Sequence, residues 1–509
     1  MLRRFRSGKR DPMVQSARAD GLISTGVAGL DEILSGGFPP NRLYLIQGNP
    51  GAGKTTLALQ FLLEGLRHGE RGLYVTLSES DEEVTDVARA HGWSLEGLER
   101  ITLDTIDGMI RGEARTTVFH PSEMELEAVS GLVSEIARRC RPARVVFDSL
   151  SEFRLLAESA LRYRHQLLEL KRLFSGLGST VLLLDDMNLS ASAVDPHVLS
   201  LAHGVVNLSQ LEPEYGAPRR RLQASKMRAS RVHEGYHDFT IRTGGLEVYP
   251  RLRTSEVAGD FHAESIPSGN TRLDALLGGG VDRGTTTLIM GPAGTGKSSL
   301  ALLYAARTAA AGEQVMLYTF DETLSIALAR ARALGVDLAP YLEGGLFHAR
   351  QVDPADLSPG EFAHRVREGV ENGVKLVILD SLNGYLNAMP GERYLIHHLH
   401  ELSTYLNQKG VATLLILTMH GILHESATAL ELTYLADMAV SLRFFEANGE
   451  VRKAIAVIKK RSGAHESTIR ELRLVSDAGI EVGPALSDFS GVLSGIPEFH
   501  GKASDMLGT

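Results

Sequence analysis

The sequence predicts an α/β protein built from two tandem domains, each a mostly parallel sheet flanked by helices. Three observations carry this expectation. A phosphate-binding loop of the form G-x-x-x-x-G-K-[ST] occurs twice, as GNPGAGKT from Gly48 to Thr55 and as GPAGTGKS from Gly291 to Ser298. An apolar run ending in Asp-Ser-Leu follows each loop, at Asp148 and at Asp380. The 509 residues divide into halves of roughly 240, each long enough to bury its own core.

The elements repeat in order. Thr25 and Gly26 match Ser268 and Gly269, and Leu30 and Asp31 match Leu273 and Asp274, at the 243-residue spacing that separates the two loops. Apolar runs at Leu43 to Ile46 and Thr287 to Met290 precede the loops, and apolar helical stretches follow, so each loop joins a strand to a helix N-terminus. Another pair of strands, Leu73 to Leu77 and Met316 to Phe320, runs into Glu79 and into Asp321 and Glu322. Val145 to Phe147 and Leu376 to Leu379 lead to Asp148 and Asp380, and Lys226 and Arg228 correspond to Lys459 and Arg461 near the end of each half. This is a tandem duplication. It predicts a basic disordered arm over residues 1–20, a first domain over 21–250, a linker over 251–263, a second domain over 264–483 and a flexible tail over 484–509.

The motif chemistry is that of nucleoside triphosphates. Backbone amides of Gly48, Asn49, Pro50, Gly51, Ala52 and Gly53, and of Gly291, Pro292, Ala293, Gly294, Thr295 and Gly296, are expected to frame a phosphate cradle, proline supplying shape without a donor. Lys54 and Lys297 would reach the β- and γ-phosphates, and Thr55 and Ser298, followed by Thr56 and Ser299, would open the helices. A magnesium ion would be held by Thr55 with Asp148 and by Ser298 with Asp380. Glu79, Asp321 and Glu322 sit where a carboxylate can polarise an attacking water. In a strand, positions i and i+2 share a face, so Lys226 with Arg228 and Lys459 with Arg461 would project together toward γ-phosphate charge.

Composition narrows the class. A formal net charge of −9 argues against a constitutive nucleic-acid binder, although the arm carries Arg3, Arg4, Arg6, Lys9 and Arg10. No apolar run approaches the ~18 residues of a membrane span, and the expected location is cytoplasmic. Cys140 is the single cysteine, which excludes intrachain disulfides and cysteine-based zinc sites. His397, His398 and His400 fall on a helical stretch, Arg393 to Asn407, whose leucines 395, 399, 402 and 406 share one face; they are read as its polar side.

With these residues in place, the chain resembles the KaiC family of RecA-superfamily ATPases, whose double-domain members carry two P-loop domains. The resemblance covers roughly Leu22 to Gly483 and rests on the openings TGVAGLDEILSGGFP and SGNTRLDALLGGGV, both loops, both DSL motifs, the strand-end carboxylates, and the KMR and KKR segments. It implies two RecA-like ATPase domains, a homohexamer with ATP and Mg2+ between subunits, and Lys226, Arg228, Lys459 and Arg461 reaching a neighbour's γ-phosphate. It also implies autokinase activity in the second domain, with Thr433 and Tyr434 at the family's paired phosphosites, of which Thr433 is the candidate. A regulatory protein on the tail is a further expected partner. The competing readings are an ATP-driven nucleic-acid motor or recombination-type protein, and a scaffold that binds ATP structurally.

Overall fold

The computed structural model describes residues 21–105, 121–157, 159–187, 196–212, 216–228, 230–253, 264–353, 357–387, 394–419, 432–447, 449–493 and 497–501. The basic arm, most of the expected linker and the last eight residues of the tail lie outside this set. The chain divides into two compact units, with the break between Arg251 and Leu252.

In the first unit the strands are β1 Leu43–Gly48, β2 Gly72–Thr76, β3 Glu99–Ile101, β4 Arg144–Asp148, β5 Thr180–Asp186, β6 Gly204–Leu211, β7 Arg219–Met227, β8 His237–Arg242 and β9 Gly245–Tyr249. They form one nine-stranded sheet in the order β3-β2-β4-β5-β1-β6-β7-β8-β9. The pairs from β3 to β6 are parallel, and β6 to β9 run antiparallel. The P-loop strand β1 is therefore internal, between β5 and β6.

Burial on both faces explains why the central strands read as continuous apolar runs. Along β1, Leu43 and Leu45 enter one hydrophobic cluster and Tyr44 and Ile46 the other; Val145 and Phe147 oppose Val146 in the same way. Helix Lys54–Arg67 covers one face, through Leu57, Phe61 and Leu62, and helices Pro121–Cys140 and Ala160–Leu177 cover the other.

The second unit repeats this plan with β10 Ser265–Ile266, β11 Val281–Asp282, β12 Thr286–Gly291, β13 Gln314–Thr319, β14 Phe347–Gln351, β15 Val374–Asp380, β16 Ala412–Thr418, β17 Met438–Ala447, β18 Glu450–Lys460, β19 Arg470–Val475 and β20 Gly479–Ala485. Its nine-stranded order, β14-β13-β15-β16-β12-β17-β18-β19-β20, matches the first position for position. Each sheet is mostly parallel and flanked by helices, as two tandem RecA-like domains require. The leucine face expected around residues 395–406 is buried on helix Leu395–Gln408, with His397 and His400 exposed.

Two details go beyond the sequence reading. The shared opening motifs are local clamps: Asp31 accepts from Thr25 N, Thr25 Oγ1 and Ser24 Oγ, each at 2.7 Å, and Asp274 accepts from Ser268 N at 2.7 Å. The stretch expected to be a flexible tail instead carries structure in its described residues, 484–493 and 497–501. Val482 is buried in β20, and β21 Phe489–Ser490 pairs with β22 Glu498–Phe499. Val492 is fully buried against Phe445, Ala447 and Ala454, apolar residues of β17 and β18 that would otherwise face water.

Gly26 has φ +79°, and a Cβ there would stand 2.8 Å from Gln60 O and 2.9 Å from Glu64 Cβ, whereas Gly69, at φ +74°, has open space. Trp93, the single tryptophan, packs on the first unit's core. Denaturant titration followed by Trp93 fluorescence is expected to give a loss of about 1 kcal/mol for Gly69→Ala, from left-handed backbone alone. Gly26→Ala should lose about 2–3 kcal/mol, because overpacking against backbone adds to that cost.

Candidate nucleotide sites at the strand ends

Both loops take the conformation a phosphate cradle needs. Gly51 and Gly53 have φ +77° and +95°, and Gly294 and Gly296 have φ +83° and +104°, turning successive amides toward one concavity ahead of the helix. The helices begin at Lys54 and at Lys297, so their unpaired N-terminal amides face the same place. Ala52 and Thr295 are buried beneath the loops, and Thr295 Oγ1 closes its loop on Pro292 O at 2.9 Å. Thr56 and Ser299 are also buried.

In the first unit the magnesium candidates meet directly. Thr55 Oγ1 donates to Asp148 Oδ2 at 2.7 Å, and Tyr74 Oη donates to the same oxygen at 2.9 Å. Burial raises the Asp148 carboxyl above the ordinary aspartate range, and Thr55, Tyr74 and Lys54 oppose that shift. Tyr74 Oη also lies 3.3 Å from Glu79 Oε2. Burial, then the charge of Asp148, raises the Glu79 carboxyl as well, the direction that makes a carboxylate a stronger base. Lys54 Nζ donates to Gly48 O and Asn49 O, at 3.0 and 3.1 Å, and pairs with Asp186 at 2.6 Å.

The second unit keeps the frame and changes the wiring. Ser298 hydrogen-bonds Asp380, whose carboxyl burial again raises. Lys297 Nζ donates to Pro292 O at 2.8 Å. Asp321 accepts from Ser381 Oγ at 2.5 Å, and Glu322 pairs with Arg330 at 2.8 Å. Asp321 is thus tied to the turn after β15, while Glu322 is held by a cation. A hydroxyl beside a carboxylate is a hard-oxygen pair of the kind magnesium takes, so Thr55 with Asp148 and Ser298 with Asp380 fit that ion.

The Lys-x-Arg pairs stand elsewhere. Lys226 is paired with Val205, which is level with Leu45 of β1, and Arg228 N bonds His203 O beyond the strand. Lys459 is paired with Ala439, level with Leu288 of β12, and Arg461 N bonds Asp437 O. Both pairs occupy the edge where the parallel strands begin, whereas the loops follow the edge where they end. At about 3.3 Å per residue, the lysines stand three residues back along the sheet from Gly48 and Gly291, and their ammonium groups turn away from the loops, onto carbonyls at the edge where the parallel strands begin.

Nor do these cations simply project together. A bulge interrupts β7 between the pairings of Lys226 and Ala224, and β18 carries the same irregularity. The lysines turn onto the ends of short helices, Lys226 to the carbonyls of Leu199 and Ala202, and Lys459 to those of Thr433 and Ala436. Arg461 reaches Tyr434 O at 3.3 Å and pairs with Asp437 at 3.6 Å. His203 takes the place of Asp437 in the first unit, and burial together with Lys171, Arg42 and Arg228 presses its pKa down to about 4. Thr433 is half-buried on the same edge as Lys459, and its counterpart in the first unit is Leu199.

Sequence reasoning missed Tyr74, Asp186, Arg330, Ser381 and His203. Asp186 and Ser381 had a signal, since β5 is an apolar run ending in aspartate, the pattern that pointed to Asp148, and Ser381 is the serine of the second Asp-Ser-Leu motif. The others are defined by neighbours far away in the chain.

Burial holds the Lys297 ammonium down to about 8. A bound triphosphate favours the charged form, so above pH 8 binding must take up a proton and weakens as pH rises. In a Lys54→Ala background, calorimetric titration with a nucleoside triphosphate is expected to show affinity falling about tenfold from pH 7 to pH 9, with matching proton uptake.

A family model described as "ATPase: KaiC" matches residues 23–253 and 266–487. Similar proteins include the circadian clock protein KaiC2 of Synechocystis sp., 28% identical over 498 residues, covering 95% of this chain and 85% of that one. KaiC3 of the same organism is 26% identical, covering 95% and 96%. The circadian clock oscillator protein KaiC of Synechococcus elongatus is 24% identical over 484 residues, covering 93% and 91%. With the family's ATPase model matched once in each unit, the chain belongs to the KaiC family of ATPases.

Proposed function

We propose that this chain binds and hydrolyses ATP as a homohexamer, with nucleotide between subunits, and works in the cytoplasm as a signalling or timing switch. The observation that carries this reading is the separation of the two halves of each site. P-loop, Asp148 and Glu79 lie at one edge of the sheet, while Lys226 and Arg228 lie at the other. A γ-phosphate can meet both sets only when a second copy brings its opposite edge to the first. Relatives named as circadian clock proteins support the timing role.

In the first unit, loop amides and Lys54 would bind the β- and γ-phosphates, and Thr55 and Asp148 would hold Mg2+. The ion supplies charge neutralisation to phosphoryl transfer. Glu79, its carboxyl raised by burial, would orient and deprotonate the attacking water, with Tyr74 fixing it relative to Asp148. Arg228 of a neighbouring copy would stabilise the charge that develops on the transferred group.

In the second unit, Lys297, Ser298 and Asp380 would take the same roles, with Asp321 and Glu322 as candidate bases. Thr433 shares an edge with Lys459 and Arg461, so a neighbour that receives those cations also receives the Thr433 segment. This supports transfer of the γ-phosphoryl group to Thr433 Oγ1 of the adjoining subunit: the hydroxyl oxygen bonds to phosphorus, ADP leaves, and a strand-end carboxylate takes the proton.

Three outcomes test this. Lys54→Ala is expected to weaken ATP-dependent hexamers in analytical ultracentrifugation; hexamers indifferent to it would count against the assembly. Arg228→Ala should lower first-site turnover about a thousandfold, as loss of an arginine finger does, and mixing it with Lys54→Ala subunits should restore part of the activity. Intact-mass analysis after incubation with Mg-ATP should find phosphate that Lys297→Ala and Thr433→Ala both remove. ADP release without phosphate would leave a purely conformational switch.

A further inference from the structure

The two nucleotide sites differ most sharply at the end of the strand beside each P-loop strand. β5 sets Asp186 opposite Gly48, and β16 sets Thr418 opposite Gly291. Asp186 Oδ1 lies 2.6 Å from Lys54 Nζ. The lysine's remaining bonds go to Gly48 O and Asn49 O, so its three donors are all engaged. Asp186 is anchored from its own side: Ser151 Oγ stands 3.5 Å from Oδ2, and neighbouring Asp185 is buried and bound to Arg154 at 3.0 Å. Lys54 is 8% exposed and Asp186 35%, so the carboxylate sits at the mouth of the site with the lysine beneath it.

We propose that Asp186 is the affinity-setting residue of the first site, an internal anion that occupies the lysine in place of a phosphate. An incoming triphosphate competes with it for one ammonium group, and the carboxylate and phosphate oxygens repel one another across that short distance. A divalent cation carried in with the nucleotide offsets the repulsion. The first site therefore takes nucleotide as its magnesium complex and discriminates against the metal-free form. The second site, with the neutral Thr418 hydroxyl at this position, discriminates much less. Asp186 acts on the nucleotide through Lys54 and is a positioning and selectivity residue; the inference rests on the ATP-site reading above.

The test uses the full chain with Lys297→Ala, which leaves the first site to bind a fluorescent ATP analogue, titrated with Mg2+ and with EDTA. Adding Asp186→Thr is expected to strengthen metal-free binding about tenfold while changing Mg2+-dependent binding less than about threefold. Asp186→Asn, which keeps the side-chain shape, should do the same, with the Trp93 unfolding transition confirming that both variants fold. An unchanged ratio of the two affinities in both variants, or weaker binding in both conditions, overturns the proposal. Failure of the Lys297→Ala chain to bind the analogue even with Mg2+ overturns the ATP-site reading itself and this inference with it.

Discussion

The hydrogen bond between Thr55 and Asp148 holds the first site together, because it joins two things that the fold otherwise keeps apart. Asp148 ends a strand sealed on both faces by hydrophobic clusters. A carboxylate there loses its water and must be held by donors. Thr55, in the first turn of the P-loop helix, is one of those donors, so satisfying the buried acid also sets the helix and its loop against the neighbouring strand. Ser298 and Asp380 repeat the arrangement in the second unit. Mostly parallel sheets with both faces covered leave only the strand ends for polar chemistry, which is why every candidate group lies at one edge or the other.

The duplication preserved this frame while the residues around it diverged. Tyr74 links Asp148 to Glu79 in the first unit, and Leu317 stands at its position in the second. Glu322 is paired with Arg330, while Glu79 is bonded only weakly, at 3.3 Å, to a phenol. At the opposite edge, Asp437 partly neutralises Arg461, whereas His203 sits among Lys171, Arg42 and Arg228 and is kept neutral by burial together with those cations. The first unit thus presents an edge where, among the described residues, a histidine replaces the aspartate, and a lysine already occupied by Asp186. The second presents an edge where Asp437 pairs with Arg461, and a lysine with fewer bonds. Two sites of one ancestry have been given different electrostatic settings.

Each unit also carries its glycine-rich loop and its cationic pair toward opposite edges of one sheet, after β1 and on β7 in the first unit, after β12 and on β18 in the second. That arrangement cannot close on itself, since sheets of this size are rigid along the strand direction. A hydroxyl at Thr433, where the first unit has Leu199, gives the second unit's cationic edge a chemical possibility the first unit lacks.

Both loops, both strand-end aspartates, the repeat and the parallel sheet are legible in the sequence because each rests on local physics: glycine conformations, an apolar run with period-two burial on two faces, and a helix starting at a fixed offset. The strands expected over 73–77 and 316–320 lie within a residue or two of Gly72–Thr76 and Gln314–Thr319 for the same reason. Tertiary structure alone decided which carboxylate meets Lys54, that Tyr74 bridges two acids, that Lys226 and Lys459 turn onto helix carbonyls, and that Val492 and Phe489 of the tail pack. It also decided that the cationic pairs face the opposite edge of the sheet from their own loops. Those facts depend on strand register and on contacts between residues far apart in the chain, such as Asp437 with Thr286, 151 positions away, and no local pattern encodes them.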